Sequence, residues 1–517
     1  MATRHFRGPI EGQPNPGFWA AMIALLASAV TLSFVYPWVF AADDSLFYLV
    51  IGKHISTSGA WTFNGLIPTN GVQPLWQLLT AGIVGLTDLV GVRAPLTQLR
   101  ALFVINWALA VVALTQMWRL LGRLAVSEVS RLVGVVVLGS CLCGPWGMFA
   151  SEAHLVAVTL LWLLLTMERW FSDGPSPVIA FATGCASGLM MLSRLDTLWV
   201  AAAAVVSLLL FSSGSSARKR LPLVALAVTT SAALLLPYLA WNVARFGNLS
   251  PISGSIKVDV LSPRLALEGV GLFGVGILAL LWVGGLLGVL RKPRMNTQVA
   301  IWLVPCLGAT LSSAFYIAFS RGPFTQWLWY FIPHAIALSL TLPLLADRII
   351  ERHPGAAKLV PVTARVACLG LAVASVALCL NRVFLGPSDS LWKDARSFST
   401  EISRSVPDGA VLATVDMPGV LGFISGHPVV ALDGLTGDFK FQDRWRDHGV
   451  ACALADLNAD YLVTVDDIGI VDRDNDSVTL ELSSWLHRES PSPLLGRGPI
   501  VASPNQRYAL WQLEPRC

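Results

Sequence analysis

The sequence is short of charge. Asp, Glu, Lys and Arg make up 13% of 517 residues against 54% apolar residues, whereas soluble domains are about a quarter charged. The formal charge of +4 leaves no basic excess for nucleic acid. A Walker phosphate loop, a dinucleotide fingerprint after a strand and an HExxH pair are all missing, so ATP-driven transport and zinc proteolysis have no basis here. No repeat of fixed period and no long low-complexity segment occurs. Cysteine is uninformative: Cys141-Leu142-Cys143 lacks the partner ligands of a zinc site, and most of the others sit in apolar runs as small hydrophobes. Cys452 and Cys517 are the two that could pair in an oxidising compartment.

What is present in quantity is membrane-length apolar sequence, with 19 Trp, a ring that favours membrane interfaces. A bilayer is crossed by roughly 20 residues. On that measure spans are expected near 18–40, 101–121, 131–149, 153–168, 176–193, 196–213, 221–243, 268–290, 297–318, 326–346 and 358–380. Basic residues recur in alternate loops: Arg4 and Arg7; Arg119, Arg123 and Arg131; Arg169; Arg218-Lys219-Arg220; Arg291, Lys292 and Arg294; Arg348, Arg352 and Lys358. The positive-inside bias then places the N-terminus in the cytoplasm. Residues 74–92 are also apolar, yet a crossing there would reverse every later loop. They are expected to form an interfacial or re-entrant helix in the outer leaflet.

The fold expected is therefore a polytopic α-helical membrane protein of about eleven spans. The first run has no small-residue cleavage site before Asp43, and suits a retained anchor better than a signal peptide. After about residue 382 charged residues become frequent, and short apolar patches such as Ala410–Val415 and Asp460–Val465 alternate with turns. That texture predicts an extracytoplasmic α/β domain over 382–517 beside a membrane domain over 1–381, whose first outer loop is 41–100.

Asp43 and Asp44 follow the first apolar run. Two adjacent carboxylates at a membrane edge lose hydration and raise the cost of ionising each other. One of them could accept a proton from a hydroxyl. The structural alternative is a cap for the helix that follows.

Four blocks in order then carry a resemblance. They are Asp43-Asp44 with Phe47, Tyr48, Trp61 to Gly65, Pro68 to Gly71 and Pro74-Leu75-Trp76; Arg194-Leu195-Asp196; Pro237 to Lys257; and Asp416 to Gly434. Together they resemble a bacterial branch of the GT-C glycosyltransferases, integral membrane enzymes using polyprenyl-phosphate-linked sugars. Related members transfer mannose to protein, aminoarabinose to lipid A and arabinofuranose to mycobacterial cell walls. This chain departs from the branch at Ala150-Ser151-Glu152 (often Gly-Met-Glu), at Leu195 (often Pro) and at Ala431 (often Asp).

The resemblance implies an inverting glycosyltransferase in the bacterial cytoplasmic membrane. Its donor would be a polyprenyl-phosphate sugar, and its acceptor a hydroxyl of an envelope glycan, glycolipid or protein. Asp44 or Asp43 would act as general base or hold a metal; whether a divalent cation takes part is left open. A lipid-linked sugar transporter and a non-catalytic assembly scaffold are the competing classes, and the near absence of charge inside the spans disfavours the transporter. Lys257, Arg194, Arg245 and Arg321 are the candidate cations for the donor phosphate. For Arg194 the competing reading is an ion pair with Asp196. Glu152, His154, His54 and Asn70, with Gln73, are candidates on the acceptor side. Asp416 and Asp433 are expected to be cap and turn residues.

Overall fold

The computed structural model describes residues 30–143, 150–211, 217–257, 280–284, 295–319, 328–353, 359–385, 391–465, 470–474, 477–480, 492–503 and 507–513, with a few isolated positions before 30 and near 277. Most of the expected span 268–290 and the first part of the span 18–40, together with Arg321 and Cys517, lie outside the described residues.

The chain is mainly helical. Among the described residues, six helices are long and apolar enough to cross a membrane. Two more, near 177–193 and 195–211, are apolar but shorter. The helices that position the site are α1 (Asp43–Ser58), α2 (Pro74–Leu89), α3 (Pro95–Arg123), α4 (Glu128–Cys143), α5 (Ala153–Ser172), α6 (Pro177–Ser193), α7 (Leu198–Phe211), α8 (Ala217–Phe246), α9 (Ile252–Lys257), α10 (Met295–Phe319), α11 (Ile332–Arg352) and α12 (Leu359–Leu380). The apolar stretch at 74–92 becomes α2, a 16-residue helix about 24 Å long, shorter than a bilayer core. It packs along α1.

Local signals set these boundaries. α1 starts with two carboxylates at the positive end of its dipole and stops at Gly59, whose φ of 71 suits glycine. Proline at the first helical position opens α2, α3 and α6, where its missing N–H costs nothing. The turn between α1 and α2 is held by its own side chains: Thr62 Oγ1 donates to Ile67 O at 2.6 Å, and Asn64 Oδ1 accepts from the N–H groups of Leu66 and Ile67. Gly184 and Gly188 of α6 let α8 approach closely. A Cβ at Gly184 would stand 2.4 Å from Ala227 O, the small-residue contact of membrane helix pairs.

The C-terminal region adds α13 (Leu391–Ser405), α14 (Pro418–Ser425) and α15 (Phe439–Ala455) around a seven-stranded mixed sheet ordered β2-β1-β3-β7-β6-β5-β4. Its strands are β1 (Val411–Thr414), β2 (Val429–Ala431), β3 (Ala459–Val465), β4 (Ile470–Asp474), β5 (Ser477–Leu480), β6 (Ser492–Ala502) and β7 (Tyr508–Leu513). β2, β1 and β3 run parallel, and β7 joins β3 antiparallel, Val463 opposite Leu510. Alternating residues divide between two cores, as strand geometry requires. Val411, Ala413, Ala509 and Trp511 pack with Phe441 and Trp445 of α15. Leu412, Val463, Tyr508 and Leu510 instead pack in a cluster that also holds Leu46, Phe47, Phe63 and Trp76 of the first loop. One face of the sheet thus shares its core with first-loop residues more than 300 positions earlier in the chain. Cys452 is disulfide-bonded, and six cysteines are free thiols.

Two glycines mark where the regions meet. A Cβ at Gly419 would lie 2.4 Å from Asp43 O, and one at Gly71 would lie 1.8 Å from Leu435 O. Neither backbone carbonyl can yield cheaply. Gly419→Ala and Gly71→Ala are each expected to loosen the C-terminal domain while the membrane helices stay folded. Limited proteolysis in detergent should release a fragment beginning near residue 382 several-fold faster than from wild type; equal rates would refute the close-packing account.

Candidate functional site

The two aspartates part company. Asp43 Oδ1 accepts from Val420 N at 2.7 Å and Oδ2 from Gly419 N at 3.1 Å, so its carboxylate caps α14. The cap expected for α1 is therefore made on another helix, 376 positions away. Asp44, one residue on and about 100° around the helix, lines a cavity of about 380 Å3. Around it stand Tyr48 and Gln73 of the first loop, Glu152 before α5, Arg194 and Asp196 between α6 and α7, Lys257 at the end of α9, Tyr316 of α10 and Tyr330 before α11.

Arg194 organises the floor. Its Nη1 meets Glu152 Oε1 at 2.7 Å, and its Nε donates to Asp196 Oδ1 at 2.8 Å. Its guanidinium lies 4.0 Å from the centroid of the Tyr330 ring, a cation–π contact. Both carboxylates are held again from behind: Tyr48 Oη donates to Glu152 Oε2 at 3.0 Å, and Tyr316 Oη to Asp196 Oδ2 at 2.5 Å. Gln73 Oε1 accepts from Leu195 N at 3.2 Å. The ion pair expected of Arg194 with Asp196 is present, but Arg194 also faces the cavity, with Nη2 unpaired among the described residues.

Lys257 sits opposite, its Nζ 3.5 Å from Tyr330 Oη. Burial alone would push its pKa down, but Tyr330 and Asp44 pull the other way, and it ends above the usual lysine value. It stays charged. Its helix is held by Asn70, whose Oδ1 accepts from Ile252 N at 3.0 Å while its Nδ2 donates to Asn242 Oδ1 at 3.2 Å.

Glu152 leaves a constrained backbone. Ala150 has φ 61, a left-handed conformation rare outside glycine. It is held by Asn106, whose Oδ1 accepts from Ala150 N at 2.7 Å, and by Trp76 Nε1, which donates to Ala150 O at 3.2 Å. The glycine that the resemblance has at this position now has a physical reason.

Several expected site residues lie elsewhere. Asp43 does not line the cavity, because both its oxygens are committed to α14. His154 is fully buried: its Nε2 is 3.0 Å from Leu142 O and its Nδ1 3.1 Å from Asn106 Nδ2, which assigns it the neutral Nε2–H tautomer and an interhelical role. His54 bonds to the Phe63 backbone beside Gly65. Asn70 is a scaffold for α9. Arg245 is on α8 but not at the cavity, and Arg321 lies outside the described residues. Tyr316 and the pairing of Glu152 with Arg194 carry no signature in the sequence. A single tyrosine in an apolar span carries no sequence signal for its partner 120 positions away.

Among the described residues, no group of three or more His, Cys, Asp or Glu side chains is placed to hold a metal ion by protein ligands alone. Buried carboxylates also influence one another electrostatically where the C-terminal region meets the first loop. Burial pushes Asp433 up to about 7, Asp44 and Asp416 push the same way, and Leu435 N–H and Lys257 oppose them. Burial likewise raises Asp416 and Asp43, with Asp44 adding to both.

No family model matches the sequence, and no curated protein sequence matches it. Solved structures do match in fold. ArnT from Cupriavidus metallidurans, bound to undecaprenyl phosphate, superposes with a TM-score of 0.54 at 15% identity over 96% of this chain and 98% of that one. The archaeal oligosaccharyltransferase AglB from Archaeoglobus fulgidus, in complex with an inhibitory peptide and a dolichol-phosphate, gives 0.54 at 12% identity over 87% and 69%. The arabinofuranosyltransferase AftD from Mycobacteria gives 0.51 at 16% identity over 95% of this chain and 40% of its own. All are GT-C proteins, and this chain has the GT-C fold.

The raised carboxylates have a common sign. Each binds a proton more readily folded than unfolded, so the stability it contributes is full below about pH 4 and is lost as pH rises through the folded value. For Asp433 the window is about pH 4 to 7. Asp433→Asn should raise the melting temperature at pH 8 and leave it unchanged at pH 4, by thermal unfolding in detergent. A variant no more stable than wild type at pH 8 would contradict the assignment.

Proposed function

We propose that this chain is a membrane glycosyltransferase that moves a sugar from a polyprenyl monophosphate to a hydroxyl of an envelope glycan, glycolipid or protein. The observation that carries the reading is one cavity that sets Asp44 opposite Lys257 and Arg194. A carboxylate that can take a proton and cations that can take a phosphate are what the transfer requires.

The steps follow from that arrangement. The acceptor hydroxyl oxygen attacks the anomeric carbon, and its proton passes to Asp44. The bond from that carbon to the phosphate oxygen breaks, and the electron pair leaves with the polyprenyl phosphate. Lys257 and Arg194 Nη2 meet the growing negative charge. Glu152 and Asp196 hold the guanidinium in place, so it need not reorganise as charge develops. A single displacement inverts the anomeric centre. Trp199 and Phe315, whose rings lie 5.5 Å apart at the cavity wall, suit the apolar prenyl chain. The proposal includes about eleven crossings, a cytoplasmic N-terminus in a bacterial membrane, and the C-terminal domain over 382–517 on the same face as Asp44. Fold support comes from ArnT and AglB, which carry undecaprenyl phosphate and dolichol-phosphate in their structures.

Incorporation of label from a panel of polyprenyl-phosphate sugars into envelope material tests this. Asp44→Asn should cut transfer on the order of 10²-fold or more, and Lys257→Gln by about 10²–10³, both with normal yield and monodispersity. Asp43→Asn should lose far less per folded molecule, since Asp43 only docks α14. No transfer from any donor, or full transfer by Asp44→Asn, would return the choice to transport or scaffolding.

A further inference from the structure

A second cavity, of about 640 Å3, lies between α3, α4 and α5 and is lined by Trp118, Arg119, Arg123, Arg131, Trp162 and Arg169, among others. It is at the far end of the helices that form the first site. Glu152 precedes α5 and Arg169 lies near its other end, about 25 Å along the axis, close to the thickness of a bilayer core. The cavity therefore opens on the membrane face opposite Asp44, where the basic loops gather.

Its chemistry is one-sided. No carboxylate among the described residues lines it. Glu168 is taken by Arg123 Nη1 at 2.8 Å and by Ser172 Oγ at 2.7 Å. Asp347, beside the α3–α4 turn, accepts three bonds from Ser127 and Ser130. Arg131 is fixed but not neutralised: its Nε donates to Val126 O at 2.8 Å, its guanidinium lies 5.7 Å from the Trp118 ring centroid, and its Nη1 would be 3.1 Å from a Cβ at Gly122. Arg119 and Arg169 are exposed and have no acidic partner among the described residues. Positive-inside sorting explains arginines in these loops, but not four of them around one concavity with two indoles and one compensating acid.

We propose that this cavity is a binding site for an anionic phospholipid, taking its phosphodiester headgroup between Arg119, Arg131 and Arg169. Planar guanidiniums pair with phosphate oxygens in bidentate fashion, and indole, which lines this cavity twice, is the ring favoured where a headgroup meets acyl chain. Basic pockets between membrane helices bind such headgroups. The proposal is independent of the reaction assigned to the other face.

The test uses the full-length protein, delipidated in neutral detergent and titrated with diphosphatidylglycerol, phosphatidylcholine or inorganic phosphate, with bound ligand read by native mass spectrometry. Diphosphatidylglycerol should bind saturably and phosphatidylcholine should not. Each arginine near the surface is worth about fivefold, so Arg119→Gln with Arg169→Gln should weaken diphosphatidylglycerol on the order of 25-fold. If the double variant does not fold, the wild type still decides: diphosphatidylglycerol should raise its melting temperature with concentration. Equal binding of both lipids, undiminished binding by the variant, no thermal shift, or displacement by millimolar phosphate would each overturn the lipid assignment, the last in favour of a free-anion site.

Discussion

The contact between Arg194 and Glu152 is the constraint around which the site is built. Both side chains are nearly buried, and a buried ion pair survives only where further bonds satisfy what water no longer does. Here those bonds come from everywhere. Tyr48 brings α1, Gln73 brings the first loop, Asp196 and Tyr316 bring the α6–α7 junction and α10, and Tyr330 closes over the guanidinium. Losing either partner would leave an unpaired charge in a dry setting, a cost of about 3–5 kcal/mol. The pair and its partners fix six segments relative to one another.

Against that floor, the adjacent aspartates do different work because a helix points neighbours in different directions. Asp43 faces α14 and holds the C-terminal domain down; Asp44 faces the cavity. Leu435, from that same domain, contributes to the cavity wall, and its carbonyl rests on Gly71. The cavity-lining carboxylate and the one docked on α14 are therefore separated by a single peptide unit, so the position of the C-terminal region and that of Asp44 cannot vary independently.

Much of this was legible in the sequence, and the legible parts share a cause. Composition, apolar run length and turn chemistry are local, so the membrane class, the short α2, the start of α1 at Asp43 and the change of texture near 382 could all be read directly. The blocks around Asp44, Arg194 and Lys257 were legible through resemblance, and they converge on one cavity. What could not be read was pairing across distance. Nothing near His154 says that Asn106 and Leu142 will absorb both its nitrogens, and nothing near Asn70 points to Ile252. One face of the C-terminal sheet packs on α15 and the other on the first loop. The two faces alternate just as regularly, and a period of two cannot tell which partner will cover which.

The shared core has a consequence for how the protein is made. Residues that complete the wall beside Asp44 are synthesised long after Asp44 itself has been inserted. Until the ribosome has delivered Gly419 and Leu435, Asp43 has nothing to cap and the core shared by Phe47 and Phe63 is incomplete. An incompletely translated chain thus has an unfinished cavity wall, lacking Leu435, and an uncovered apolar surface on the first loop. Maturation of the site is tied to the last steps of biogenesis.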